Sequence, residues 1–196
     1  MSFCLSTKLA LVGLRGAGKT SVGRELSARL GLPFVDLDER IAAAAGFGHV
    51  GELIAAHGLP AFRELERDEL AAVLAEPRRL IVSTGGGAVE DPRSRRLLRT
   101  EALTVWLRAP LEILRERVAR DERGRAAGAV PLRPAIVPPP GAGSDDAGPE
   151  ALDHDEFTVL QERRAPLYRE VSRRAIDVEF GSPLEIARRI ERIWRG

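Results

Sequence analysis

The chain has 196 residues, enough for one domain with a substantial core. Thirty Lys plus Arg against 29 Asp plus Glu leave a net charge of +1, so no global field draws nucleic acid or a membrane surface, and a small-molecule partner is expected. The single cysteine, Cys4, excludes an internal disulfide and suits a reducing cytoplasm, and His49, His57 and His154 are too dispersed for a metal-ligand pattern.

The first strand is expected in KLALVGL, residues 8–14, a run too short to span a membrane and followed by glycines rather than a small-residue cleavage site. An amphipathic stretch at 19–30, closed by Gly31 and Pro33, predicts a helix. PFVD at 33–36 predicts a second strand, and 37–76 a helical region broken near Gly46 and Gly58. RLIVST at 79–84 and LTVWL at 103–107 predict two more strands, with a helix at 110–120 after them.

Residues 121–153 interrupt this rhythm, being rich in Pro and Gly without an apolar period. A stretch this long is either a lid or a linker. The segment after it offers only helices at 155–171 and 183–194 around the strand AIDVEF, 175–180, too little for an independent core, so a lid is expected and 1–196 reads as one domain. The alternation of strand and helix predicts an α/β fold whose mostly parallel sheet is covered on both faces and binds ligands at the carboxyl ends of its strands.

The strongest motif is GLRGAGKT, 13–20, a full G-x-x-x-x-G-K-[ST] between a strand and a helix. Its glycines let successive backbone N–H groups point into one cavity above a helix N-terminus, so Gly16, Ala17, Gly18, Lys19, Thr20 and Ser21 form the expected ATP-binding set. Lys19 reaches the β and γ phosphates and the Thr20 hydroxyl suits Mg²⁺. The G-x-x-G-x-G spacing does not fit a dinucleotide fingerprint. A P-loop on a small chain with a long lid favours a kinase over a hydrolase or motor.

The set GLRGAGKT, DLDERI (36–41), FRELE (62–66), TGGGAV (84–89), Arg133-Pro134 and RRAPLYREV (163–171) resembles the shikimate kinase family. The resemblance implies a fold like the nucleoside monophosphate kinases, with a five-stranded parallel sheet flanked by helices, a helical substrate-binding region at about 37–66 and a mobile lid at about 121–153. It implies transfer of the γ-phosphate of ATP to the 3-hydroxyl of shikimate, with Mg²⁺, in a monomeric cytoplasmic enzyme of aromatic amino acid synthesis. Asp36 and Thr20 would serve Mg²⁺, Asp38 the acceptor hydroxyl, and Arg63 and Arg164 the acceptor carboxylate, with backbone approach at Gly85, Gly86 and Gly87. Arg133 would meet the transferring phosphoryl group, and Arg117 with Pro183 would contact adenine.

The residues support this division directly. An Asp at 38 repels an incoming phosphate but accepts a hydrogen bond from a hydroxyl, and two arginines supply planar contacts to a carboxylate. Competing readings are an N-cap role for Asp38 in front of a helix starting near Glu39, a gluconate kinase, and a kinase-like sensor without turnover. Three features depart from the family pattern: Leu59 where a Glu is usual, a long insertion between Arg133 and Arg164, and GSP at 181–183 in place of an Arg.

Overall fold

A computed structural model describes residues 7–123 and 154–195. Strand β1 (Lys8–Val12) is buried along its whole length. The reason is its place: β3 (Leu80–Ser83) pairs with one edge and β4 (Ala102–Arg108) with the other, so an apolar run on both faces is required. Strand β2 (Phe34–Asp36) adds outside β3 and β5 (Arg174–Asp177) outside β4, giving a parallel sheet in the order β2-β3-β1-β4-β5. After β1 the chain goes to the far side of β3, and β4 later takes the opposite edge of β1. The direction of winding therefore reverses at β1, whose carboxyl end becomes the natural ligand crevice.

Helix α1 (Lys19–Leu30) matches its expected limits and ends on Gly31, which adopts φ 63°. Helix α2 (Leu37–Ala44) is followed by Gly46 at φ 78°, and α3 (Val50–Ala75) carries the second expected break at Gly58, φ 83° and ψ 161°, just before Pro60. Helix α5 (Leu111–Arg123) runs into the segment expected to belong to the lid, so 121–123 are helical. Helix α6 (His154–Val171) and α7 (Pro183–Arg195) complete the second half, with α7 packed on α1 through Arg29 and Glu191, 2.5 Å apart.

Helix α4 (Pro92–Thr100) is not in the sequence-based series of elements. Its signal is present: Asp91 accepts a hydrogen bond from the Ser94 N–H at 2.8 Å, and Pro92 follows at the first helical position. Only nine residues long and rich in arginine, the segment has a narrow apolar face, formed by Leu97 and the buried Leu98.

The core joins sheet residues such as Leu9, Leu11 and Val105 to Phe62 of α3 and Tyr168 of α6, all fully buried. Trp106 and Trp194 are also buried, Trp106 lying 5.6 Å from Tyr168 between ring centres, in keeping with packing roles. Lys8 is buried too, at the end of β1 away from the P-loop. Its ammonium donates to the carbonyls of Glu76 (2.6 Å) and Arg78 (2.8 Å) and to the Thr7 hydroxyl (3.2 Å). Among the described residues no helix is long and apolar enough to cross a membrane.

Candidate active site

The P-loop curls tightly because it is pressed against β4 and α5. Gly13 has φ 145°, and a Cβ there would overlap the Leu107 carbonyl oxygen. Gly16 has φ 79°, and a Cβ there would lie 2.8 Å from the Leu114 carbonyl oxygen. The loop opens α1 with Gly18 at its N-cap and lines a cleft of about 560 Å³ at the carboxyl end of the sheet. That cleft also takes in Asp36, Asp38, Arg117 and Pro183, so the residues assigned to nucleotide, metal and acceptor hydroxyl share one space. Lys19 donates to the carbonyls of Gly13 and Leu14, both at 2.9 Å, folding its ammonium over the loop. On the side facing Pro183, the Arg117 guanidinium spans from the Gly16 carbonyl (3.3 Å) to the Val178 carbonyl (3.0 Å).

The two aspartates divide differently from the capping reading. The helix starts at Leu37, and Asp36 is its N-cap: one carboxylate oxygen accepts from the N–H groups of Asp38 (3.1 Å) and Glu39 (3.4 Å). Its other oxygen accepts from the Thr20 hydroxyl at 2.6 Å. Asp38 lies in the first helical turn, where its side chain is not needed as a cap and lines the cleft.

The acceptor-side arginines are held by carboxylates. Arg63 Nη1 donates to Glu66 Oε2 at 2.5 Å, the orienting contact expected one helical turn along α3, and Glu66 is only 2% exposed. Arg63 Nη2 donates to Glu90 Oε2 at 3.3 Å, and Arg164 Nη2 reaches the same oxygen at 3.1 Å. Arg163 pairs with the other oxygen of Glu90. Burial pushes the Glu90 carboxyl up, but hydrogen bonds and charge from Arg164 and Arg163 outweigh it and hold the group below the usual glutamate range. Arg164 is 3% exposed, which sets it apart from the solvated arginines that dominate this composition.

One position of the glycine triplet has a specific steric reason. A Cβ on Gly87 would overlap the Arg63 guanidinium, and one on Gly86 would sit 3.4 Å from the Gly13 carbonyl oxygen and 3.7 Å from Arg164 Nη1. Glycine is thus required at 87, beneath Arg63, while the ordinary contact distances at 86 place the turn between the P-loop and Arg164. Tyr168 fixes it, donating its hydroxyl to the Gly86 carbonyl at 2.5 Å. Glu90 and Tyr168 were not singled out from sequence. Tyr168 lies within the RRAPLYREV motif, whereas Glu90 follows the glycine turn with no pattern to mark it.

The model of the shikimate kinase family matches residues 15–194. The chain belongs to the shikimate kinase family. A shikimate kinase from Caulobacter vibrioides is 45% identical over 126 residues, covering 64% of this chain and 62% of its own length. One from Syntrophus aciditrophicus is 35% identical over 184 residues, covering 94% of this chain and 89% of its own. Among solved structures, the shikimate kinase of Acinetobacter baumannii in complex with shikimate aligns with a TM-score of 0.79 and 28% identity, over 95% of this chain and 91% of that one.

Of the expected site residues, Arg133 and most of the lid segment 121–153 lie outside the described residues. Leu59, which replaces the family's usual Glu, packs against the hydrophobic core. The hard oxygens of Thr20 and Asp36 suit Mg²⁺, and the described residues contain no cluster of three His, Cys, Asp or Glu. That donor set fits a cation which keeps its waters and shares substrate phosphates rather than one caged by protein.

Proposed function

We propose that this chain transfers the γ-phosphoryl group of ATP to the 3-hydroxyl of shikimate. The observation that carries the reading is the convergence of Arg63 and Arg164 on one carboxylate oxygen, at 3.3 and 3.1 Å. Two guanidinium groups from α3 and α6 can grip a single carboxylate only if the fold brings them together, and an acid acceptor needs that grip. The P-loop beside them supplies the phosphate end, and Gly86 lies between the two.

In this reading Lys19 leaves the loop carbonyls to neutralise the β and γ phosphates, and the backbone N–H groups of residues 16–21 hold them at the start of α1. Arg117 and Pro183 take the adenine end. Asp38 accepts the hydrogen bond of the acceptor hydroxyl and aims its oxygen, and its charge discourages a phosphorylated acceptor. Thr20 and Asp36 would hold Mg²⁺, which when bound supplies charge neutralisation of the phosphates. Arg133 would complete the site from the lid. The same reading has residues 1–196 acting as a single domain, as a monomer and in the cytoplasm.

The decisive assay adds shikimate, gluconate or a nucleoside monophosphate to the protein with ATP and Mg²⁺. ADP formed only with shikimate is expected. ADP with gluconate alone would replace the reading with a gluconate kinase, and shikimate binding without ADP would replace it with a non-catalytic sensor.

A further inference from the structure

Glu90 occupies the middle of a network that the phosphoryl-transfer reading does not use. Its carboxylate faces Arg63 of α3 and both Arg163 and Arg164 of α6, while its own backbone carbonyl accepts from Arg95 of α4 at 3.1 Å. Three helices are therefore tied to one acidic residue on the 3-10 turn Ala88–Glu90 that follows the glycine triplet. Arg63 has a second, closer carboxylate in Glu66. Among the described residues, Glu90 is the carboxylate within ion-pair distance of the nearly buried Arg164.

From this geometry we infer that Glu90 is a positioning residue for the acceptor site, acting through Arg164 and Arg63. The inference rests on the reading that these arginines receive the acceptor carboxylate. A guanidinium has a rigid fork of donors. With one edge of each fork fixed by Glu90, the remaining donors are presented in a set orientation, and the acceptor does not have to order them on arrival. Charge points the same way. Within this bonded set three guanidinium groups face two carboxylates, Glu66 and Glu90, and the surplus positive charge matches one incoming carboxylate. Without Glu90 the surplus would double, and the cluster would favour dianions such as inorganic phosphate.

The test compares the wild type with Glu90→Gln and Glu90→Asp. Glu90→Gln should raise the KM for shikimate about tenfold, the loss of a charge-assisted bond, while the KM for ATP and kcat stay within about twofold. Glu90→Asp, which keeps the charge on a shorter arm, should recover part of the loss. Inorganic phosphate should inhibit Glu90→Gln competitively against shikimate more strongly than it inhibits the wild type. An unchanged KM for shikimate in Glu90→Gln would overturn the inference, as would an equal rise in both KM values with no recovery in Glu90→Asp. A wild type inert toward shikimate would sink the functional reading alone. In that event a crystal structure of Glu90→Gln decides the positioning role: displaced guanidinium groups of Arg63 and Arg164 support it, and unmoved ones refute it.

Discussion

The Thr20 hydroxyl donates to Asp36 at 2.6 Å, joining the first turn of α1 to the end of β2 across the mouth of the P-loop. The same carboxylate caps α2, so Asp36 is committed twice, and Asp38 lines the cleft. This division separates the two aspartates experimentally. Asp36→Ala should lower stability by about 0.5–2 kcal/mol through the lost cap and raise the Mg²⁺ concentration needed for half-maximal activity. Asp38→Ala should lower the urea midpoint less than Asp36→Ala does and reduce kcat by about 10² to 10⁴, the range for losing a general base. Equal destabilisation by both substitutions would contradict the assignment.

Arg63 and Gly87 should behave as one unit, because a Cβ at Gly87 would overlap the guanidinium. Arg63→Ala is expected to lose about 1.5–3 kcal/mol in kcat/KM for the acceptor, with ATP affinity retained. Gly87→Ala should reproduce part of that loss. In the double variant the two effects should not add, since the methyl group has nothing left to displace. Steady-state kinetics on the three variants settles the point, and simple additivity would show that Gly87 acts elsewhere.

Acid should weaken the protein partly through Glu90. Its carboxyl is held below its ordinary range in the folded state, so at acid pH the unfolded chain binds more protons and stability rises with pH. The contribution is fully present above the unfolded glutamate value of about 4.3 and is lost as pH falls through the lower folded value. Urea midpoints measured downward from neutral pH should therefore fall less steeply in Glu90→Gln than in the wild type. Parallel curves would show that the arginines do not depress this carboxyl.

Lys8 lies at the opposite end of β1 from the P-loop and binds the carbonyls that close the α3–β3 connection. Lys8→Met keeps the length of the side chain but removes the charged donor shared by the partly buried carbonyls of Glu76 and Arg78, and should destabilise by about 1–3 kcal/mol. The KM values for ATP and acceptor should not change, because the site is at the far end of the sheet. A shift in either KM with unchanged stability would overturn this assignment.

The strand-helix alternation, the P-loop and the breaks at Gly46 and Gly58 were legible in the sequence because each is a local rule: apolar period, phosphate-loop spacing, and glycine at positive φ. Helix α4 is hard to read although Asp91 and Pro92 announce it, since in a nine-residue, arginine-rich stretch the apolar face comes down to Leu97 and Leu98. The capping role that competes for Asp38 belongs to Asp36 because the helix starts at Leu37, and which residue begins a helix is settled by backbone geometry rather than by residue type.

By itself, then, the sequence determined the phosphate cradle, the parallel α/β architecture and the family motifs, all of which depend on neighbours along the chain. Only the tertiary structure decided that Arg63, Arg163 and Arg164 meet on Glu90, that Gly87 is small because Arg63 lies over it, and that Tyr168 fixes the glycine turn. Those contacts join α3, α6 and the β3–α4 connection. Their partners are set by how the elements pack in space, which no local spacing in the chain encodes.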